Sequence, residues 1–172
     1  MKSQAADGAA LVVDFGDPAE VRAWSAIDDV VMGGVSSSAL LVSPSGTALF
    51  TGSLSLEHGG GFASVRSPEA ARRLAGRRGL RLKLRGDGRR YKLRLRTSPG
   101  FDGIAYQAPF ATEAGAWNEV RLGFEEFLPV FRGRVVPDAA PLDPGAVRAL
   151  GLLISDGQAG AFRLELARIW AW

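Results

Sequence analysis

The sequence predicts an all-β domain, an antiparallel β-sandwich or jelly roll with only short helical turns, on three observations. Apolar and polar residues alternate with period two in several short runs, and Gly, Pro, Asp and Ser turn signals recur between them. No run supports a helix of ordinary length. About ten short strands at regular spacing match the architecture of a sandwich or jelly roll.

Residues 10–15 read as an apolar strand ending at the turn signal Gly16-Asp17-Pro18, and residues 18–24 as one helical turn capped by Asp17. Residues 36–42 form the next strand, and Ser43-Pro44-Ser45-Gly46 turns it into residues 47–56. There Ala48, Phe50, Gly52, Leu54 and Leu56 alternate with smaller or polar residues, the mark of a strand with one buried face. Residues 62–66 make a short strand, and residues 69–74 a helical turn before Gly76. Beyond residue 100, strands are expected over 104–110, 117–123, 147–154 and 162–170, with 124–131 an aromatic loop and 135–145 a long irregular connection.

The sharpest alternation lies in residues 80–96. Leu80, Leu82 and Leu84 alternate with Arg81, Lys83 and Arg85, and Tyr91, Leu93 and Leu95 alternate with Lys92, Arg94 and Arg96. With Gly86-Asp87-Gly88 between them, the expectation is a β-hairpin with buried leucines and six cations together on its opposite face. Like charges directly across a ladder destabilise by up to ~1 kcal/mol per pair. Such a face calls for acidic neighbours or a ligand.

The charge distribution points the same way. Residues 66–96 hold eleven Arg and two Lys against Glu69 and Asp87, a net +11, which leaves −8 on the rest of a chain whose total is +3. This asymmetry fits an acidic protein surface, anionic head groups, nucleic acid or an anionic glycan, or else a solvated face with no partner. Tyr91 runs in register with the leucines, so no aromatic joins the basic face, which counts against nucleic acid. Trp24 and Trp117 read as core residues, and Trp172 as a free end.

Composition excludes several classes. The chain of 172 residues, 47% of them apolar, reads as a single domain over 10–172 behind a flexible N-terminus, 1–9. No apolar run approaches the ~18 residues of a membrane span, and no signal-peptide pattern is visible, so cytoplasmic residence is expected. The chain has no cysteine, which removes disulfides, thiol nucleophiles and Cys–zinc sites. Its one histidine, His58, sits in a glycine-rich loop, without the partners of a Ser-His-Asp triad or of a zinc site. Glu57, Glu125 and Glu126 are carboxylates for a glycosidase-type pair, but nothing in the sequence sets one opposite another.

Two glycine clusters organise the chain: Asp28-Asp29-Val30-Val31-Met32-Gly33-Gly34-Val35-Ser36 and Gly59-Gly60-Gly61-Phe62-Ala63-Ser64-Val65-Arg66. Neither is a phosphate loop, because Gly33-Gly34 lacks a following Lys-Ser/Thr and neither cluster opens a long helix. Glycine there permits positive φ, or lets another group approach where a Cβ would clash. Asp28 and Asp29 point to opposite faces of an extended segment. They are candidates to cap the N–H groups of the Gly33-Gly34 turn or to pair with a sheet arginine.

Trp24 followed by Asp-Asp-x-x-Met-Gly-Gly-x-Ser resembles the opening signature of the complex I intermediate-associated protein 30 family. Phe50-Thr51-Gly52 and the run from Gly60 to Arg66 are similar to its second block. The likeness continues through Gly86-Asp87-Gly88, the run from Tyr91 to Thr97, Trp117 to Phe124 and Phe127, the run from Phe131 to Arg134, the run from Gly151 to Ile154, and the run from Gly160 to Leu164. Gly59 and Gly123 depart from it, standing where an asparagine and a proline are expected. The resemblance implies a galactose-binding-like sandwich, similar to carbohydrate-binding modules. It also implies a chaperone or assembly role, holding partly built intermediates of respiratory NADH:ubiquinone oxidoreductase, here in a bacterial relative. Sandwiches of this kind often hold a structural calcium, for which Asp14, Asp17 and Glu165 are the candidates; no other cofactor is expected.

The expectation is therefore a binding domain without catalysis. Arg81, Lys83, Arg85, Lys92, Arg94 and Arg96, with Gln107, would dock an acidic partner such as a complex I assembly intermediate. Asp28, Asp29, Met32, Gly33, Gly34, Ser36, Gly60, Gly61, Phe62, Ser64 and Arg66 would shape the rim. The alternative is a module for a saccharide or other small anion on the concave sheet, with Gln107 beside the arginines. An enzyme of unknown reaction is the third reading.

Overall fold

The computed structural model describes residues 8–29, 33–99 and 103–172. Met32, one of the expected rim residues, and residues 1–7 of the expected N-terminal tail lie outside the described residues. In chain order the strands are β1 (Ala10–Asp14), β2 (Ser25–Ala26), β3 (Ser37–Val42), β4 (Ala48–Leu54), β5 (Ala63–Arg66), β6 (Gly79–Arg85) and β7 (Arg90–Arg96). They continue as β8 (Ala105–Ala111), β9 (Trp117–Gly123), β10 (Leu128–Phe131), β11 (Arg134–Val135), β12 (Ala149–Ile154) and β13 (Gly160–Ala171). The helix α1 (Pro18–Ala23) starts as its sequence dictates, with Pro18 in its first turn and the Asp17 carboxylate accepting from the Ala19 amide at 3.0 Å.

The strands form two antiparallel sheets. The first runs β3-β4-β13-β6-β9, with β1 also paired to β13; the second runs β11-β10-β8-β7-β12-β5-β2. Their inner faces meet in one core, where Leu80, Leu82 and Leu84 of β6 oppose Leu93 and Leu95 of β7 and Leu150 and Leu152 of β12, all buried. Phe50 of the first sheet meets Tyr91 of the second edge-on, with ring centroids 6.2 Å apart. This is the sandwich that period-two alternation predicts.

One expectation fails in an informative way. β6 and β7 are not a hairpin: β6 pairs with β13 and β9, while β7 pairs with β8 and β12 in the other sheet. Residues 86–89 form a corner that crosses the sandwich. Four extended residues span about 13 Å, enough to bridge the ~10 Å between packed sheets. Asp87 holds the corner, accepting from the Tyr91 hydroxyl at 3.0 Å and the Arg163 amide at 2.8 Å. Leucines on both strands face the same core in either arrangement, so the alternation is identical for a hairpin and a corner. The consequence is large: the six cations do not share a face. Arg81, Lys83 and Arg85 stand outside the first sheet; Lys92, Arg94 and Arg96 stand outside the second.

Three smaller expectations also change. Residues 69–74 form no helix; the Ala70 amide bonds the Arg148 carbonyl instead, at 2.9 Å. The aromatic loop is a 3-10 turn, Phe124–Glu126, followed by strand β10 on β8. Trp117 is not a core residue but 38% exposed, with the Arg85 guanidinium 5.2 Å from its ring. Trp24 is buried as expected, 5.4 Å from the Phe15 ring. Replacing Trp24 by Ala is expected to cost about 3–5 kcal/mol, and Trp117→Ala about 1 kcal/mol or less. Urea titration of the two variants checks this; equal losses would contradict the burial difference.

Candidate binding groove

The two carboxylates of the Asp-Asp motif do different work. Asp28 accepts from the Ser38 amide at 3.1 Å, the Ser38 hydroxyl at 2.5 Å and the Ser64 amide at 3.1 Å, so it ties β3 to β5. Asp29 is fully buried and accepts from four donors: the Ser36 amide (2.9 Å) and hydroxyl (2.6 Å), the Gly61 amide (2.7 Å) and the Phe62 amide (3.4 Å). Its backbone carbonyl also accepts from Gly34, at 2.8 Å. The glycines are explained by this approach. A Cβ on Gly34 would lie 2.4 Å from the Asp29 carboxyl carbon, and one on Gly60 2.4 Å from its Oδ2. Burial pushes the Asp29 pKa up, but the hydrogen bonds from Ser36, Gly61 and Phe62 outweigh it and hold the carboxyl below its ordinary 3.8.

That knot fixes one wall of a groove of about 670 Å³ on the outer face of the second sheet. Gly60, Gly61 and Phe62 rim it on the β5 side, and Arg132 and Gly133 on the β10 side. Its floor includes Ser64, Arg66, Lys92, Arg94, Arg96 and Gln107. Nine of the expected site residues thus come together: Gly60, Gly61, Phe62, Ser64, Arg66, Lys92, Arg94, Arg96 and Gln107. Arg81 and Lys83 line a separate cleft on the other sheet, and Arg85 also lies on that sheet. Asp28, Asp29, Gly34 and Ser36 are scaffold around the knot rather than lining, and Gly33, at φ +87°, does not line the groove. Leu153, Val130 and Arg132 join the lining without having been expected. β12 is apolar throughout, so nothing in its residues marks an outer face; the Asp156-Gly157 turn signal beyond it is the one local sign.

Neutralisation differs between the two faces. On the first sheet, Arg85 and Arg163 bind the buried Glu165 at 2.6 and 3.2 Å, Arg81 lies 3.6 Å from Glu119, and Arg81 and Arg121 stack on Trp170 and Trp172. On the second, Lys92 binds Asp156 at 3.0 Å and Ser155 at 3.1 Å. Arg94 is different. Its Nε donates to Gln107 Oε1 at 3.0 Å, and no described carboxylate lies within ion-pair distance of it. Burial and, after it, the charge of Arg66 push its guanidinium down to about 10, still protonated at neutral pH. Of the carboxylates considered for calcium, Asp14 accepts from Gly16, Asp17 caps α1, and Glu165 serves the arginines.

The fold is thus a two-sheet sandwich with a broad, cation-floored groove across one sheet. The model of the family described as "Complex I intermediate-associated protein 30 (CIA30)" matches residues 13–166, and the chain belongs to that family. Two curated relatives, each named "Probable complex I intermediate-associated protein 30, mitochondrial", come from Caenorhabditis elegans and Caenorhabditis briggsae. Each is 29% identical, over 77% of this chain and 45% of the relative. The chain therefore spans less than half the length of the curated relatives it matches. Among solved structures, the family 11 carbohydrate-binding module from Clostridium thermocellum, in complex with a β-1,3-1,4-mixed-linked tetrasaccharide, superposes with a TM-score of 0.67 at 12% identity, covering 95% of this chain and 94% of that one. The agarase AgWH50C gives a TM-score of 0.61 at 14% identity, over 96% of this chain and 25% of that one. These likenesses show the fold, a galactose-binding-like sandwich.

Two outcomes follow from the site. Asp29→Asn is expected to lose about 3 kcal/mol at neutral pH, because a single amide oxygen cannot satisfy four donors. A carboxyl depressed in the folded state contributes fully above its unfolded value, 3.8, and that contribution is lost as pH falls through the folded value. The gap between wild type and variant should therefore narrow below about pH 4, measured by urea titration across pH. Arg94→Met is expected to stabilise the free protein by about 1 kcal/mol, a Tm rise of roughly 2–4 °C, by removing a desolvated charge. A fall in Tm would show that Arg94 serves the fold.

Proposed function

We propose that this chain is a non-catalytic binding domain that takes an acidic segment of a partner protein into the groove of the second sheet. The partner is an assembly intermediate of respiratory NADH:ubiquinone oxidoreductase, and the chain acts on it as a chaperone or assembly factor. Arg94 carries the reading: a half-buried cation on the groove floor, held in plane by Gln107 and matched by no described carboxylate. Membership of the CIA30 family and the names of the nematode relatives support the assembly side. Binding rather than hydrolysis is supported by the lining, whose one described carboxylate, Asp156, is engaged by Lys92, where a glycosidase needs two across a cleft. Cytoplasmic residence belongs to the same reading; among the described residues no helix is long and apolar enough to cross a membrane.

A saccharide is the second reading, favoured by a sandwich fold like that of a module solved with a tetrasaccharide. Against it, Phe62 is the one aromatic residue in the described lining, where sugar recognition by stacking calls for several rings.

Affinity capture from native cells, read by mass spectrometry, separates the readings. Wild type is compared with Arg94→Glu in the groove and with Lys83→Glu on the opposite face. Wild type and Lys83→Glu are expected to recover NADH:ubiquinone oxidoreductase subunits or their assembly factors, with Arg94→Glu recovering about 10-fold less and recovery falling as salt rises. Capture without those subunits overturns the assembly role. Equal capture by both variants removes the groove as the docking surface, and a Tm rise with neutral oligosaccharides alone favours the second reading.

A further inference from the structure

The groove floor contains a gap of defined size between two arginines. Arg66, Gly151, Arg94 and Gln107 are direct cross-strand neighbours on β5, β12, β7 and β8. They form one row across the sheet, with a glycine where its central strand would place a side chain. Gly151 leaves a notch of about 20 Å³ lined by Arg66, Arg94, Arg96 and Ser64. A Cβ added at Gly151 would stand 3.1 Å from the Val65 carbonyl and 3.8 Å from the Arg94 Cβ, and so would occupy the notch. Its volume admits about one water-sized group. One oxygen of a planar carboxylate fits such a space.

We propose that the notch over Gly151, beside Arg94 and Arg66, is a carboxylate subsite that receives a glutamate or aspartate side chain from the acidic segment bound in the groove. The proposal rests on the groove reading above. The Nε–Gln107 bond leaves the Arg94 Nη groups to donate, and it fixes the guanidinium plane, so the fork is set before the ligand arrives. The depressed pKa of Arg94 adds support, because an arriving carboxylate would relieve the unfavourable burial of its charge.

The test uses the full chain and fluorescence anisotropy with labelled hexaglutamate, with hexaglutamine as the uncharged control. Gly151→Ala fills the notch at constant charge. Arg94→Lys keeps the charge but removes the fork, and it serves if Gly151→Ala fails to fold, which its melting curve reveals. Wild type is expected to bind hexaglutamate and not hexaglutamine, with glutarate competing better than inorganic phosphate. Each variant should bind about 10-fold more weakly. Wild-type affinity in both variants, with binding still abolished by Arg94→Glu, overturns the notch while the groove reading stands. Failure of hexaglutamate to bind wild type overturns both. Binding of oligogalacturonate but not of hexaglutamate overturns the protein side chain as occupant and makes the ligand a uronate.

Discussion

The Asp29 carboxylate is the contact around which the described parts of the molecule assemble. An ionised carboxylate in a dry interior is unfavourable unless each of its lone pairs meets a donor. Here the donors come from the two glycine-rich stretches, Ser36 on one side and Gly61 and Phe62 on the other. Burying the charge therefore obliges both loops to close on it, and Gly34 and Gly60 are glycines because no Cβ fits against the carboxyl. Asp28, one residue earlier, joins β3 to β5 in the same way. Since Gly60, Gly61 and Phe62 also rim the groove, that wall is set by a hydrogen-bond knot.

The distribution of charge follows from the corner at residues 86–89. By sending β6 to one sheet and β7 to the other, the fold divides a cation-rich stretch between two surfaces with different surroundings. The first sheet meets Arg81, Arg85 and Arg121 with Glu119, Glu165 and tryptophan rings, while Lys83 stands exposed. The second pairs Lys92 with Asp156 and leaves the Arg94 charge to Gln107, a neutral acceptor. A half-buried cation answered only by a dipole is less stable than one answered by a charge. Arg94 is half-buried on a groove floor, whereas Lys83 of the opposite face is open to solvent.

Much of the fold is legible in the sequence because burial leaves a local trace. The leucines of residues 80–84 and 93–95 are buried as their alternation requires, Asp17 caps α1, and the strand at residues 105–111 lies within a residue of its expected span. The groove is legible in part: Gly60 to Arg66 and the β7 cations carry local marks, whereas Leu153 lies in a wholly apolar strand and Val130 in a stretch that reads as a loop. Trp117 misleads for a related reason. A large ring is usually buried, but here an arginine covers one face of it and leaves the rest exposed.

By itself, the sequence determined which side of most strands turns inward, where the chain bends, and that two glycine stretches take positive φ or admit a close approach. Each of these depends on neighbours a few residues apart, on strand period, turn chemistry and the absence of a Cβ. Tertiary structure alone decided which strands pair, that Gly34 and Gly60 close on Asp29, and that Arg66 and Arg94 flank Gly151. Strand pairing is a contest among distant segments, settled by how whole inner faces fill one core. A period of two states which side of a strand is buried and is silent about which sheet it joins.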